Sequence, residues 1–221
     1  MSRELIAVKD MSIGYKGRTL YSGITFEINE GDCIMLCGAN GSGKTTLLKA
    51  LKCRCVSDAV MIPSRIPKIE GFTLREFIII GCYNQSDMGG RLPSGKKQAI
   101  DRALTTLGLE HLSDRDISTL SDGEFQKAGI ASALVMDASI ILLDEPTAFL
   151  DAENRISILN TMRTLCMNES KAVIFSTHDL HDGAAAATKI FALGADRIFR
   201  HGTTDFKALT DSIFSSLKPE Q

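Results

Sequence analysis

Nine residues, GANGSGKTT (Gly38–Thr46), constrain this chain more than any other stretch. They satisfy G-x-x-x-x-G-K-[ST] and stand where that pattern has mechanical meaning. Before them runs CIMLC, a short and mostly apolar strand. After them Leu47, Leu48 and Leu51 fall at the spacing of a helix face. Gly41 and Gly43 let the backbone curl so that successive N–H groups point at one anion, at the positive end of a helix. Lys44 supplies a cation for the β- and γ-phosphates of a nucleotide, and the Thr45 hydroxyl is suited to ligate Mg²⁺. Gly38, Ala39, Asn40, Gly41, Ser42, Gly43, Lys44, Thr45 and Thr46 are therefore the candidate nucleotide-binding loop. A plain glycine turn before a helix would not fill every position of the pattern.

IILLDEP (Ile140–Pro146) supplies the complementary half. Asp144, ending an apolar run, is placed to hold Mg²⁺ through water, and Glu145 would face an attacking water as its base or orienting group. IILL and AVIF (Ala172–Phe175) are continuously apolar, as strands buried on both faces of a parallel sheet are. Between them Ile156, Leu159, Met162 and Leu165 mark a helix, and this strand–helix–strand order predicts an α/β fold. Ile24, Phe26 and Ile28 alternate with polar residues as a half-buried strand does, and KIFAL and RIF flank Gly194-Ala195 as an edge hairpin.

The middle of the chain differs. Thr73 and Glu76 have the spacing of a capping box opening a helix through LREFIIIG. A second helix, Lys96–Leu107, turns Ala99, Ile100, Ala103, Leu104 and Leu107 inward and closes on Gly108. No strand pattern appears between Phe72 and Ile117. The expected organisation is one domain: a catalytic α/β core of residues 1–71 and 118–221, with residues 72–117 as an inserted helical lobe.

At 221 residues and 44% hydrophobic content the chain can bury a single sizeable core. The net charge is −2, the charges are interspersed and Trp is absent, so nothing marks a nucleic-acid partner. The N-terminus lacks the apolar core of a signal peptide, and no run approaches the roughly 18 apolar residues of a membrane span. Any role at a membrane is expected to come through a partner. The six cysteines, without a secretory signal, read as cytosolic thiols.

STLSDGEFQKAG (Ser118–Gly129) contains a second capping-box spacing, Ser121 and Glu124, yet a glycine beside a helix start normally has a further reason. Taken with the phosphate loop and IILLDEP, the chain resembles the nucleotide-binding subunit of ABC transporters. LSDGE (Leu120–Glu124) is similar to the family signature LSGGQ, and AFLD (Ala148–Asp151) to its D-loop. STHD (Ser176–Asp179) places His178 as the switch histidine, and Tyr15 stands where the family keeps an aromatic residue against adenine.

The resemblance implies a P-loop NTPase of ABC ATPase type: a mostly parallel sheet core with an inserted helical lobe and an antiparallel N-terminal part. It implies ATP and Mg²⁺ as ligands, with Glu145 and His178 catalytic and Thr45 and Asp144 at the metal. Two copies would pair head-to-tail, with ATP between one copy's phosphate loop and Ser121, Gly123, Glu124 and Asp151 of the other. FTLREFIIIG, ALTTLGLEHLSDRDISTLSDGE and LDEPTAFLD resemble the ATPases of iron-siderophore, haem and cobalamin importers. That implies a membrane permease, an extracytoplasmic substrate-binding protein and a peripheral position on the cytoplasmic face of the cell membrane. Phe77, Ile78, Ile79 and Ile80 run more apolar than one buried face requires, so part of that helix is a candidate permease contact.

Three departures stand against the family pattern. Asp122 replaces the signature's first glycine. A carboxylate about 5 Å from phosphate would be repelled by roughly 3 kcal/mol per unit charge at an effective dielectric near 20, so Asp122 is expected to point away from nucleotide. Ser64 aligns with the glutamine that links the metal site to the lobe. The stretch from Leu51 to Met61 leaves little room for the usual antiparallel hairpin, which should leave a strand edge open. The last two departures leave a second reading, an ATP-gated dimerising module with little turnover.

Overall fold

The structure, a computed structural model, describes residues 2–15, 17–55, 58–81 and 95–203. Cys82, the rest of 82–94 in the expected lobe, and 204–221 in the expected core lie outside the described residues. A six-stranded sheet of order β4-β5-β6-β3-β7-β8 forms the centre. Its strands are β3 (Cys33–Gly38), β4 (Ala59–Ile62), β5 (Ile140–Leu143), β6 (Ala172–Ser176), β7 (Lys189–Leu193) and β8 (Phe199–Thr203). All neighbours are parallel except β7 and β8, the antiparallel edge hairpin. The turn of that hairpin is longer than Gly194-Ala195: β8 begins only at Phe199, because Arg197 takes φ +60 and Arg200 closes an ion pair on Asp196.

Every residue of β3, β5 and β6 is buried, and alternate side chains enter different layers. Ile34 and Leu36 pack on one face with Leu47, Leu48 and Leu51 of helix α1 (Lys44–Arg54), while Cys33, Met35 and Cys37 face the helical layer opposite. Burial pushes the Cys37 thiol up to about 12. A side-chain hydrogen bond to Cys166 and burial raise Cys33 further still, so both behave as neutral core groups.

The antiparallel part is a separate two-stranded sheet, β1 (Glu4–Tyr15) with β2 (Arg18–Asn29). Among the described residues these strands pair only with each other, leaving the open edges expected from the short Leu51–Met61 stretch. Irregular register protects them. The register shifts between Val8 and Met11, where Asp10 turns to φ +50 and its N–H bonds the Thr25 hydroxyl. Such bulges add twist and spoil an edge as a template, while keeping Val8, Met11 and Ile13 on the buried face. That face, with Tyr21, Ile24, Phe26 and Ile28, packs on the same side of the main sheet as α1.

The helical layer holds α2 (Leu74–Gly81), α3 (Lys96–Leu107), α4 (Asp122–Val135), α5 (Ala152–Asn168) and the short α6 (Leu180–Ala186). Helix α2 opens on the expected capping box: Thr73 N–H bonds Glu76 Oε2, and Glu76 N–H bonds Thr73 Oγ1. Helix α3 closes on Gly108 at φ +67. Leu74 and Ile78 of α2 are fully buried, Ile79 is half-buried against the core and Ile80 is 49% exposed. Helix α4 is apolar nearly all round, because it lies between α2 and α3 on one side and α5 and β4 on the other.

Candidate nucleotide site

Strands β3, β5 and β6 lie side by side and parallel, so the segments leaving their carboxyl ends converge, as they do at ligand sites of open α/β sheets. The phosphate loop follows β3. Gly41 at φ +77 and Gly43 at φ +106 supply the left-handed turns that aim its backbone inward. A Cβ on Gly43 would also lie 3.2 Å from Leu20 Cδ1. Helix α1 starts at Lys44 with no side-chain cap, so its first N–H groups point into the loop's concavity.

Lys44 is buried with its Nζ tethered to the carbonyls of Gly38 at 2.9 Å and Ala39 at 3.3 Å, and 3.8 Å from Glu145 Oε1. Its charge is thus held over the loop by the loop's own oxygens. Thr45 Oγ1 donates to Asp144 Oδ2 at 2.8 Å. Ser176, at the end of β6, donates to Asp144 Oδ1 and accepts from the Glu145 N–H, both at 2.8 Å. That N–H belongs to a residue at φ +49, a strained position for a side-chain-bearing residue. The Ser176 hydroxyl therefore fixes both carboxylate residues of the β5 turn. His178 Nδ1 lies 3.8 Å from Glu145 Oε2, with its ring largely exposed. Asp179 caps α6. Burial raises its carboxyl, but the Asp182 N–H and the Arg155 guanidinium outweigh this and hold it below the usual range.

Tyr15 stands at the end of β1, beside its register partner Arg18, at the mouth of a cavity of about 450 Å³. Leu20, Asn40, Gly41, Gly43, Lys44, Thr45, Thr46 and Glu145 complete the lining. The lining therefore includes an aromatic residue and an arginine together with the phosphate loop.

A protein-family model described as ABC transporter matches residues 21–148, more than half of the chain. The chain belongs to the ABC transporter family. It is 28% identical to the probable siderophore transport system ATP-binding protein YusV of Bacillus subtilis, over 91% of this chain and 82% of that protein. It is 27% identical to the ferric enterobactin transport ATP-binding protein FepC of Escherichia coli, over 88% of this chain and 80% of that one. Among solved structures it superposes with a TM-score of 0.86 on a metal-chelate type ABC transporter in an inward-facing conformation, at 25% identity, covering 97% of this chain and 89% of that one.

The ABC signature residues lie at the start of α4, where each is engaged within this chain. Ser121 and Glu124 form a complete capping box: Ser121 N–H bonds Glu124 Oε2 at 2.8 Å, and Glu124 N–H bonds Ser121 Oγ at 3.3 Å. The Ser121 N–H and hydroxyl hold the Glu124 carboxyl below its ordinary value. Gly123 has a packing reason of its own, since a Cβ there would lie 2.5 Å from Asn154 Oδ1. Asn154 is in turn held by Asp151, which caps α5 at 2.8 Å. The signature and the D-loop are thus locked together within one copy. Ser64 is half-buried in the connector after β4, and the connector's cations reach further than it does: Arg65 lies over the Phe149 ring at 4.7 Å, and Lys68 bonds Asp122.

The sequence reading missed Ser176, Arg18, Arg65, Lys68 and Asn154. Ser176 had a local signal, its place at a strand end two residues before His178; Arg65, Lys68 and Asn154 act through contacts distant in sequence. Ser176→Ala is expected to strand the Glu145 N–H and one Asp144 oxygen. Urea unfolding should show a loss of about 1–3 kcal/mol, and kcat should fall about tenfold with KM less affected.

Proposed function

We propose that this chain is the ATP-hydrolysing subunit that powers an ABC importer of ferric siderophores or related haem- and cobalamin-type chelates. The observation carrying this reading is the set of contacts that joins Lys44 to Glu145, Glu145 to His178 and Thr45 to Asp144, with Ser176 holding the Asp144 carboxylate and the Glu145 N–H. The siderophore and enterobactin relatives support the substrate class.

Lys44 would exchange its loop carbonyls and Glu145 for phosphate oxygens, because a charge-assisted bond to an anion outweighs one to a neutral carbonyl. Release from Lys44 leaves Glu145 to orient a water, with His178 close enough to sense or share its proton. The Thr45 hydroxyl and the Asp144 carboxylate already meet at 2.8 Å and are hard oxygen donors, so they fit Mg²⁺. When bound, that ion would neutralise phosphate charge.

Two copies of the chain pair head-to-tail in this reading, each lending Ser121, Gly123 and the α4 start to ATP held by the other. To donate to phosphate, the Ser121 hydroxyl would turn its one proton away from Glu124 Oε2, while both backbone bonds of the capping box can persist. Among the described residues no helix is long and apolar enough to cross a membrane, so the subunit would sit peripherally on the cytoplasmic face, against a permease fed by a substrate-binding protein.

Ile80 is the residue of the apolar α2 run that faces outward, and it is assigned to the permease contact. With the permease in liposomes, Ile80→Asp should lower ATP-driven uptake of a labelled ferric siderophore about tenfold while nucleotide affinity stays within about twofold. Unchanged uptake would remove Ile80 from the interface. Absence of uptake by the unaltered complex, with any chelate of this class, would overturn the substrate assignment.

A further inference from the structure

Asp122 puts a carboxylate on the first residue of α4, between the Ser121 cap and Gly123. A helix start favours an anion, so Asp122 suits the helix itself. It does not suit a second anion arriving there, and the head-to-tail pairing proposed above brings a nucleotide's γ-phosphate to that end.

One cation is fixed against this carboxylate. Lys68, from the connector between β4 and α2, brings its Nζ to 2.8 Å from Asp122 Oδ1 and 2.7 Å from the Leu120 carbonyl, with the ammonium 5.4 Å from the centre of the Phe125 ring. These three partners lie before, at and within the first turn of α4. The lysine side chain is 26% exposed and the carboxylate 71%, so the cation is held against the protein while Asp122 stays at the solvent edge. Glu124, the other carboxylate of that turn, is occupied by Ser121. The connector is anchored too: a Cβ on Gly129 of α4 would come within 2.8 Å of Ile66 Cδ1.

We propose that Lys68 is a positioning residue for the trans-nucleotide site. It neutralises Asp122 and holds it aside, so that a signature with Asp in place of Gly still accepts the γ-phosphate of ATP bound to a second copy. The inference rests on the head-to-tail reading. It also distinguishes Lys68 from a plain brace, because a brace would be needed whether or not residue 122 carried a charge.

The test uses the full chain carrying Glu145→Gln to hold ATP unhydrolysed. The ATP-dependent dimer is measured by sedimentation for Lys68→Ala, Lys68→Met, Lys68→Arg, Asp122→Gly and Lys68→Met/Asp122→Gly. Fluorescent-ATP binding to dilute monomer is measured in parallel. Lys68→Ala and Lys68→Met, the latter keeping the apolar stem over Phe125, should each weaken the dimer about tenfold with monomer affinity unchanged. Lys68→Arg should retain it, Asp122→Gly alone should shift it by less than about threefold, and adding Asp122→Gly to Lys68→Met should restore it to within about twofold. A folded Lys68→Met that dimerises like its parent, or a double variant as weak as Lys68→Met, overturns the proposal alone. A parent that forms no ATP-dependent dimer overturns the head-to-tail reading, and this inference with it.

Discussion

Lys44→Ala is expected to abolish measurable ATP binding at micromolar nucleotide while leaving the fold intact. The side chain is buried, yet its Nζ is satisfied by two loop carbonyls, and truncation removes the charge instead of stranding it. What is lost is the cation over the phosphates. Two charge-assisted hydrogen bonds at about 1.5–3 kcal/mol each correspond to a loss of about a hundredfold or more in affinity. Isothermal titration with ATP reads the affinity, and thermal melting without nucleotide reads the fold. A Lys44→Ala protein that binds ATP within a few-fold of the parent would show that the loop's N–H groups suffice.

Glu145→Gln is expected to separate binding from turnover. Glutamine keeps the shape and the backbone bond to Ser176, and its amide lies where Lys44 and His178 now flank a carboxylate. It cannot accept a proton, so hydrolysis should fall about a hundredfold or more, the range of a lost general base, while ATP affinity holds or improves. Improvement is the expected sign, because Glu145, with Oε1 3.8 Å from Lys44 Nζ, competes with nucleotide for that cation. Single-turnover hydrolysis beside equilibrium binding resolves the two effects.

The phosphate loop, the β5 carboxylates and the buried strands were legible because each is a local pattern. GANGSGKTT specifies its own turn through Gly41 and Gly43, and IILL is apolar at every position because helices or the β1–β2 sheet cover both faces. The boundaries of α3 were legible because Gly108 is needed at a left-handed C-cap. What the sequence concealed is long-range. The Val8–Met11 step in β1 obscures its alternation, because Asp10 bulges out and shifts the inward positions by one. Strand β4 is four residues long and owes its identity to pairing with β5. Ser176 reads as one polar residue after AVIF until β6 is set beside β5. Lys68 and Asp122 are 54 residues apart and meet because the connector packs across α4. Asp122, an apparent defect in the signature, therefore comes with its counter-charge, and the departure at Ser64 lies in a connector whose Arg65 and Lys68 already grip the D-loop and the signature.

The central claim is that two copies of this chain build one ATPase site from opposite surfaces. The most direct measurement is Mg-ATP hydrolysis by the purified protein across a range of protein concentrations, alone and with the permease, beside Glu145→Gln. Turnover that rises more steeply than linearly with concentration, and vanishes in the variant, is the expected result. Turnover of the subunit alone strictly proportional to protein, or turnover undiminished in Glu145→Gln with or without the permease, would contradict a composite site. No turnover even with the permease, despite ATP binding, would make the chain an ATP-gated module instead of a motor.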